Sequence, residues 1–431
     1  MRARTFIPAL APTIAIALAL LLGSPAPAPA YSVLAHESAI DAAWEAELRP
    51  LLLQRFPRST PAELERARSF AYGGSVIQDL GYYPFGNKFF SNLLHYARSG
   101  DFVASLVRNA RTVDELAFAL GALAHYVNDV TGHPGAVNKS VPIAFPKLRH
   151  KFGDDITYVQ APKQHVIVEF SFDVAQAARG RYSFTQYRSM LDFQVAAALL
   201  ERAFRDTYGL EMSDVLGDQE RAVSTYRYAV SQLIPALTDA AWRDKRDEIL
   251  AQAPDATREN VVFVYQPVDY EKTYGPNYQK PARSARFLAW VYRLVPKIGP
   301  LKPLAFKAPT PDVDRLFEDS VAQSHRRFQT VLRQVRSGRL DLANTNFDTG
   351  EPAHARRYEL ADETHAEWLD ELARRDFAGA TPQVRRTLDA FYRNAPAPDP
   401  HDRKARKAWE RVQAALARLD SASSQTAQRR D

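Results

Sequence analysis

The stretch that decides the fold runs from Val113 to Val130 and reads Val113-Asp-Glu-Leu-Ala-Phe-Ala-Leu-Gly-Ala-Leu-Ala-His125-Tyr-Val-Asn-Asp129-Val130. Thr112 precedes it and Glu115 follows three positions later, the spacing of a helix-capping box. Apolar residues occupy nearly every face of this helix, so we expect it to be central and buried. His125 and Asp129 lie one helical turn apart on one face, where an imidazole and a carboxylate can bind the same cation.

The sequence around this helix adds further candidate ligands. His133 follows in Thr131-Gly132-His133-Pro134, and Gly132 and Pro134 predict that the helix ends there and that His133 lies on a turn. His165 and Glu169 repeat the four-residue spacing on a second apolar helix. A lone buried histidine is more often a hydrogen-bonded core residue than a ligand. Two pairs on helices with few lysines or arginines favour a metal, because a buried carboxylate needs a strong partner.

Composition and helix signals place the whole chain among all-α globular proteins. It has 431 residues, of which 46% are hydrophobic and 25% charged, which excludes a disordered or fibrous protein. Thr60-Pro61 with Glu63 opens a helix that runs toward Gly74, and another helix runs from Pro162 to Gly180. Further helical patterns cover 185–206, 214–252, 311–336, 358–376 and 383–394. Only Asn260 to Tyr265 is predicted as a strand.

The N-terminus has the pattern of a secretory signal peptide. Arg2 and Arg4 precede an apolar run from Ile14 to Leu22, and a Pro/Ala stretch ends at Ala30. The run is shorter than the roughly 20 residues that span a bilayer. We therefore expect residues 1–30 to be removed and a periplasmic or extracellular product to begin at Tyr31.

A Pro/Lys-rich passage from Pro276 to Pro311 divides the mature chain. The predicted organisation is a catalytic domain over 31–255, a mainly helical extension over 256–420 and a disordered tail over 421–431. The absence of cysteine excludes thiolate metal sites and disulfides, and the mixture of imidazoles and carboxylates favours zinc.

The helix from Gly121 to Pro134, followed by His165-x-x-x-Glu169, resembles the bacterial zinc-dependent phospholipase C family. That family is related to single-strand nucleases of the P1/S1 type and to the catalytic part of glycosylphosphatidylinositol-specific phospholipase D. The resemblance covers about residues 31–250 and implies a mostly helical domain that holds up to three zinc ions. The family's better-known members begin with Trp and place five residues between the helix Asp and the next His, where this chain has Tyr31 and three.

The resemblance also implies a ligand set. The first zinc would be held by Asp79, His95, His125 and Asp129, and the second by His133, His165 and Glu169. The third would be held by the amine and carbonyl of Tyr31, by His36, and by Asp129 as a bridging carboxylate. Asp79 is also the candidate to orient or deprotonate the attacking water, although we expect it to act mainly as a ligand. His150 is expected to lie outside the set.

The resulting prediction is a zinc-dependent phosphodiester hydrolase, with phospholipase C activity as the leading assignment. The three carboxylates leave the zinc charge partly uncompensated, so the site should attract phosphate esters. Phospholipase D-like cleavage and single-strand nuclease activity are alternatives, and the latter would need stacking residues such as Tyr82, Tyr83 and Phe85. A non-catalytic protein that retains metal is a third. No stable nucleic-acid partner is expected.

One segment of the predicted extension mixes aromatic and cationic residues. The segment from Arg283 to Lys307 suits an anionic lipid surface. The same pattern also fits a helix and turn packed on the catalytic domain with solvated cations. The sequence leaves both interpretations open.

Overall fold

The computed structural model describes residues 32–83, 85–182, 193–230, 234–262, 306–393 and 395–428. In this part of the chain every regular element is a helix, and a single bridge between Thr345 and Pro352 is the one β-type pairing. The all-α prediction is therefore confirmed. The predicted signal peptide, Tyr31 and the segment from Arg283 to Ala305 lie outside the described residues.

The helices are named in chain order. The first nine are α1 Val33–Ala43, α2 Arg49–Arg55, α3 Pro61–Gly74, α4 Lys88–Tyr96, α5 Ser99–Asn109, α6 Val113–Gly132, α7 Asn138–Ala144, α8 Pro146–Phe152 and α9 Pro162–Ala178. The others are α10 Ala197–Tyr208, α11 Met212–Leu216, α12 Gln219–Tyr228, α13 Ile234–Gln252, α14 Arg258–Val261, α15 Pro311–Arg336, α16 Glu359–Arg374, α17 Pro382–Tyr392 and α18 Arg403–Gln428. Short 3-10 helices cover Ile77–Tyr82 and Tyr158–Gln160, and π-helical turns cover Trp44–Leu48 and His133–Val137.

Helix α6 is the central element, as its sequence predicts. Nearly all of its residues are buried, and the Thr112 side chain caps its first turn by accepting from the Glu115 backbone N–H. Helix α3 crosses α6 so closely that a Cβ on Gly121 would lie 2.0 Å from the Ala71 carbonyl oxygen. Only glycine fits this crossing, and the close approach brings the end of α3 to the face of α6 that bears His125.

Several predicted boundaries are wrong, and the causes are local. The predicted helix over 214–252 is interrupted at Gly217, which has φ +65°, and Asp218 caps α12. Within the predicted helix over 185–206, residues 193–196 are not helical and α10 begins at Ala197. The predicted strand from Asn260 to Tyr265 is wrong at its start, because Asn260 and Val261 belong to α14, and residues 263–265 lie outside the described residues.

The C-terminal helices share one core with the preceding part of the chain. Helix α15 packs along α6 and places Phe328 and Leu332 in the main hydrophobic cluster. Helix α16 packs against α4, and its buried Trp368 donates from Nε1 to the Tyr208 carbonyl oxygen at 2.8 Å. Helix α18 continues to Gln428, so most of the predicted disordered tail is helical.

Candidate metal centre

Three groups of buried side chains could each hold a metal ion. They are His36, His125 and Asp129; Asp79, His95 and His125; and His133, His165 and Glu169. Within each group the candidate ligand atoms lie within 4.8 Å of one another. Every predicted ligand in the described part of the chain belongs to one of these groups. The third group has the residues predicted for the second zinc, whereas the first two groups share His125 and divide the other predicted ligands differently.

Helix α6 supplies His125 and Asp129 on one face, and the π-helical turn that follows it supplies His133. The α-helix ends at Gly132 as predicted, but His133 does not lie on a non-helical turn. The chain remains helical through a π-helical turn, and the His133 N–H donates to the Asp129 carbonyl oxygen. Pro134 lies at the start of this turn and is followed directly by α7. His133 thus stays aligned with the other two ligands.

Asp129 lies between the first two groups. Its Oδ1 is 3.4 Å from Nε2 of His36, and its Oδ2 is 3.1 Å from Nε2 of His125 and 3.6 Å from Nε2 of His95. Asp79 completes this side, with Oδ1 3.3 Å from Nε2 of His95. The contacts fit the predicted bridging role of Asp129, because each of its oxygens faces a different set of imidazoles.

The third group combines α9 with the end of α6. Nδ1 of His165 lies 3.8 Å from Oε1 of Glu169 one turn later, and the rings of His133 and His165 are 6.0 Å apart. All three side chains are buried. This group is the one that the sequence predicts for the second zinc.

Main-chain carbonyls orient three of the imidazoles. In each, one ring nitrogen lies at hydrogen-bond distance from a carbonyl oxygen and the other faces the carboxylates. The partners are Ser91 O for His95 (2.7 Å), Ser75 O for His125 (2.9 Å) and Ile156 O for His165 (2.6 Å). In a neutral ring, a nitrogen that donates to a carbonyl leaves the other nitrogen unprotonated, as a metal ligand must be.

Burial keeps several of the imidazoles neutral. It lowers the pKa of His36 and of His133 to about 3, and that of His165 to about 4. For His95 burial acts in the same direction, but the contacts with Asp129 and Asp79 outweigh it and raise the pKa to about 9. Zinc binding at His95 must therefore displace a proton at neutral pH.

The carboxylates show how much negative charge is concentrated here. Burial, and then the charges of Asp129 and Asp79, raise the pKa of Glu169 well above its usual value. The pKa of Asp129 lies well below its usual value, because the neighbouring His125, His95 and His36 outweigh the effect of burial. A bound cation would favour the ionised form of each carboxylate.

The donor set fits zinc. Within the described part of the chain, many buried polar atoms of this centre have no hydrogen-bond partner. They are both carboxylate oxygens of Asp79, Asp129 and Glu169, Nε2 of His95 and His125, and Nδ1 of His165. So many unsatisfied buried atoms would be costly unless cations bound them. Imidazole nitrogens and carboxylate oxygens are ligands that zinc prefers.

Two acidic residues near the centre were missed by sequence reasoning. Asp173 follows Glu169 by one turn of α9, and its carboxylate accepts from the backbone N–H groups of Leu34 (2.9 Å) and Ala35 (3.1 Å). It therefore fixes the start of α1, which carries His36. The four-residue continuation from His165 through Glu169 to Asp173 was the available signal. The second missed residue is Asp348, in the C-terminal half, for which no local pattern exists.

The remaining predicted residues divide between the centre and the surface. Tyr82 lies beside His95, with ring centroids 5.7 Å apart. Tyr83 instead packs on Tyr226, and Phe85 lies beneath the guanidinium of Arg221. His150 is exposed on α8, away from the ligands, as predicted. At the end of the proposed lipid-facing segment, Phe306 is buried beside α9 and α13.

Residues 35–217 match the family model described as zinc dependent phospholipase C. The match agrees with the resemblance seen in the sequence. The match includes all the predicted side-chain ligands and excludes α12 to α18. No curated protein and no solved structure matches the chain significantly.

Proposed function

We propose that this member of the zinc-dependent phospholipase C family is a secreted phosphodiester hydrolase that cleaves phospholipids in the C-type manner. The observation that carries the proposal is the position of Asp129, whose carboxylate contacts His36 of one ligand group and His95 of another. Zinc at such a site supplies Lewis acidity toward phosphoryl oxygens and lowers the pKa of water toward about 7.

The side chains of this chain have separate tasks in the proposed reaction. Asp79, His95, His125 and Asp129 would hold the first zinc, and His133, His165 and Glu169 the second. His36 and Asp129 would hold the third together with the N-terminal residue. Asp79 is proposed as a ligand that also orients the attacking water. The buried surroundings exclude bulk water and strengthen the attraction between this centre and an anionic phosphate.

A cavity beside the metal centre supports a lipid substrate. Its volume is about 520 Å³, and Ala35 and Asn128, each next to a ligand in sequence, form part of its wall. Phe317 and Val321 of α15 contribute apolar surface, and Arg326 contributes a cation. A phospholipid combines an apolar part with an anionic one, so this lining suits it. For a nucleic acid, only one of the three candidate stacking residues, Tyr82, lies beside a ligand.

Secretion is also part of the proposal and rests on the N-terminal sequence pattern. Among the described residues, every helix is too short or too polar to cross a membrane. An exported enzyme would meet phospholipid at a membrane surface.

A parallel assay tests the activity. Mature protein beginning at Tyr31 is loaded with zinc and incubated with phosphatidylcholine, with phosphatidylinositol-type lipids and with single-stranded DNA. We expect diacylglycerol from lipid. Phosphatidic acid would instead indicate D-type cleavage, nucleotide release would indicate a nuclease, and full zinc occupancy without hydrolysis would indicate a binding protein. His125→Ala should abolish turnover, whereas the matched His150→Ala on the exposed face of α8 should retain it.

A further inference from the structure

A segment of the C-terminal half lies against the metal centre, outside the part of the chain that matches the family. It runs from Thr345 to Pro352, the two residues of the isolated bridge. Within it, Phe347 donates its backbone N–H to the His95 carbonyl oxygen at 3.2 Å, and its ring lies 4.8 Å from the His95 ring. The segment is therefore part of the wall of the site.

The carboxylate of Asp348 in this segment is held at one oxygen and open at the other. Oδ2 accepts from the Tyr158 backbone N–H at 3.0 Å and from the Tyr358 hydroxyl at 2.6 Å. Oδ1 lies 3.2 Å from Nδ1 of His133. Both atoms are buried, and neither forms a hydrogen bond within the described part of the chain, so the 3.2 Å approach is an ion-pair contact. Two fixed donors thus aim the second oxygen at an imidazole.

His133 differs from three other imidazoles of the centre in the group that faces its outer ring nitrogen. His95, His125 and His165 each have a main-chain carbonyl at the ring nitrogen that faces away from the carboxylates. At His133 the side chain of Asp348 occupies the corresponding place. Asp348 does not belong to the group formed by His133, His165 and Glu169, so it contacts the imidazole from outside the ligand set.

We propose that Asp348 is the positioning residue for His133, with Oδ1 accepting a hydrogen bond from Nδ1–H and so leaving Nε2 unprotonated for the metal. A carboxylate behind a metal-binding histidine fixes the tautomer and the ring orientation and raises the basicity of the ligand. The inference rests on the proposed function only in taking zinc as the ion. It assigns part of the C-terminal half a role in the metal centre.

Asp348→Asn is the sharpest test, because it keeps the size of the side chain while replacing one acceptor oxygen by a hydrogen-bond donor, the NH₂ group. The amide oxygen must face the two donors, Tyr158 N–H and Tyr358 O–H, so the NH₂ group must face His133. Nδ1 then becomes an acceptor and the ring proton moves to Nε2, the wrong tautomer for a ligand. We expect zinc binding at this group to weaken by about 10–100-fold.

Three measurements separate positioning from a merely structural role. Competition with a chromogenic chelator gives the zinc affinity, the visible spectrum of the cobalt-substituted protein reports the coordination, and ¹⁵N shifts of labelled histidine report the tautomer. Thermal unfolding of the metal-free protein should barely change. Asp341→Asn, at an exposed position shortly before the segment, is the matched control and should resemble wild type in every measurement.

The outcomes distinguish this inference from the proposed function. Wild type that binds no zinc would overturn the proposed function. Zinc-binding wild type together with Asp348→Asn of unchanged affinity, cobalt spectrum and tautomer would overturn only the role of Asp348. If Asp348→Asn does not fold, Tyr358→Phe, which removes one of the two donors from Oδ2, is the second variant. It should weaken zinc binding severalfold, and an unchanged affinity would again overturn the role.

Discussion

The carboxylate of Asp129 contacts imidazoles from three elements. They are His36 of α1, His95 of α4 and His125 of its own helix α6. Glu169 belongs to only one ligand group. The variants Asp129→Asn and Glu169→Gln should therefore differ in how many metal ions the protein loses. A carboxamide keeps the shape of each side chain but removes the charge that compensates the cations.

We expect Asp129→Asn to lose about two zinc equivalents and Glu169→Gln about one, because in the predicted ligand set Asp129 bridges two zinc ions whereas Glu169 binds one. Hydrolysis should fall by more than about 100-fold in both, since each loses a direct ligand. Elemental analysis after dialysis against a weak chelator measures the zinc content. Glu65→Gln, on the exposed face of α3, should keep the full content. Equal losses from the two ligand variants would argue against a bridging Asp129.

A second prediction concerns His365, which is buried outside the metal centre. Burial lowers its pKa to about 4, its Nδ1 contacts the Ala361 carbonyl oxygen at 2.8 Å, and its ring stacks on Phe391. The folded state therefore favours the neutral ring. The contribution of His365 to the free energy of unfolding is complete above the unfolded pKa of about 6.5 and is lost as the pH falls toward 4.

Between pH 6.5 and 4, each unit by which the pH falls should therefore lower the free energy of unfolding of the metal-free protein by up to about 1.4 kcal/mol through His365. Urea unfolding at a series of pH values measures the slope. His365→Gln should have a shallower slope than wild type, whereas His150→Gln should have the same slope as wild type. Parallel curves for wild type and His365→Gln would contradict this prediction.

Some of the site residues could be predicted from the sequence alone, and others could not. His125 with Asp129 and His165 with Glu169 could be predicted because a four-residue spacing on an apolar helix is a local signal. Asp79, His95 and His36 have no such spacing, and only the resemblance to a family pointed to them. Asp348 lies 215 positions after His133, and its role depends on how α15 folds back along α6, which no local pattern encodes.

At the scale of elements, capping signals predicted helices better than breaking signals predicted their ends. Thr60 and Thr112 accept the N3 backbone N–H as expected, and α15 has the predicted bounds with Thr310 as its cap. The α-helix ends at Gly132 as predicted, but the chain stays helical beyond it. A π-helical turn follows Gly132 and includes Pro134, and buried packing against α15 surrounds it. Tertiary packing thus overrode a local preference, and His133 remained in line with Asp129.

Gly350 tests how strictly the Thr345–Pro352 segment must fit against the end of α6. Its φ is +72°, and a Cβ there would lie 2.9 Å from Cγ of Pro134 and 3.2 Å from the Val130 carbonyl oxygen. Gly338 has a similar φ of +68° but no atom within 4 Å of the same position. The two glycines therefore share a backbone conformation and differ in crowding.

We expect Gly338→Ala to cost about 1 kcal/mol, from the left-handed conformation alone. Gly350→Ala should cost roughly 1–3 kcal/mol more, because the segment must move away from Pro134. It should also weaken zinc binding, since Asp348 moves with the segment. Urea unfolding and chelator competition measure the two effects. Equal stability losses would indicate that the segment adapts freely.

At the scale of the whole molecule, the family domain and the C-terminal half form one structure around the metal centre. The main hydrophobic cluster includes residues of α6 together with Phe328, Leu332 and Trp368 from α15 and α16. The sequence suggested a division near residue 256 because the Pro/Lys-rich passage interrupts the helical pattern. The order of the elements along the chain did not reveal that helices α15 and α16 pack into the same hydrophobic cluster as α6.

The other end of the chain bears on the same centre. Asp173 holds the backbone N–H groups of Leu34 and Ala35 and so fixes the start of α1, and His36 follows within the same turn. The mature N-terminus at Tyr31 would lie only a few residues before these contacts. An α-amino group with a pKa near 8 can lose its proton to bind zinc, whereas an amide nitrogen cannot.

We therefore expect protein with two extra residues before Tyr31 to lose the zinc of the His36 group and most of its activity. Zinc content and turnover are measured for this form and for the authentic mature protein. The same two residues added after Asp431 are the control and should change neither quantity. Asp173→Asn should also weaken this zinc in the authentic form, because the start of α1 loses a charged acceptor for two N–H groups. Equal zinc content and turnover in the extended and authentic forms would show that the N-terminal amine is not a ligand.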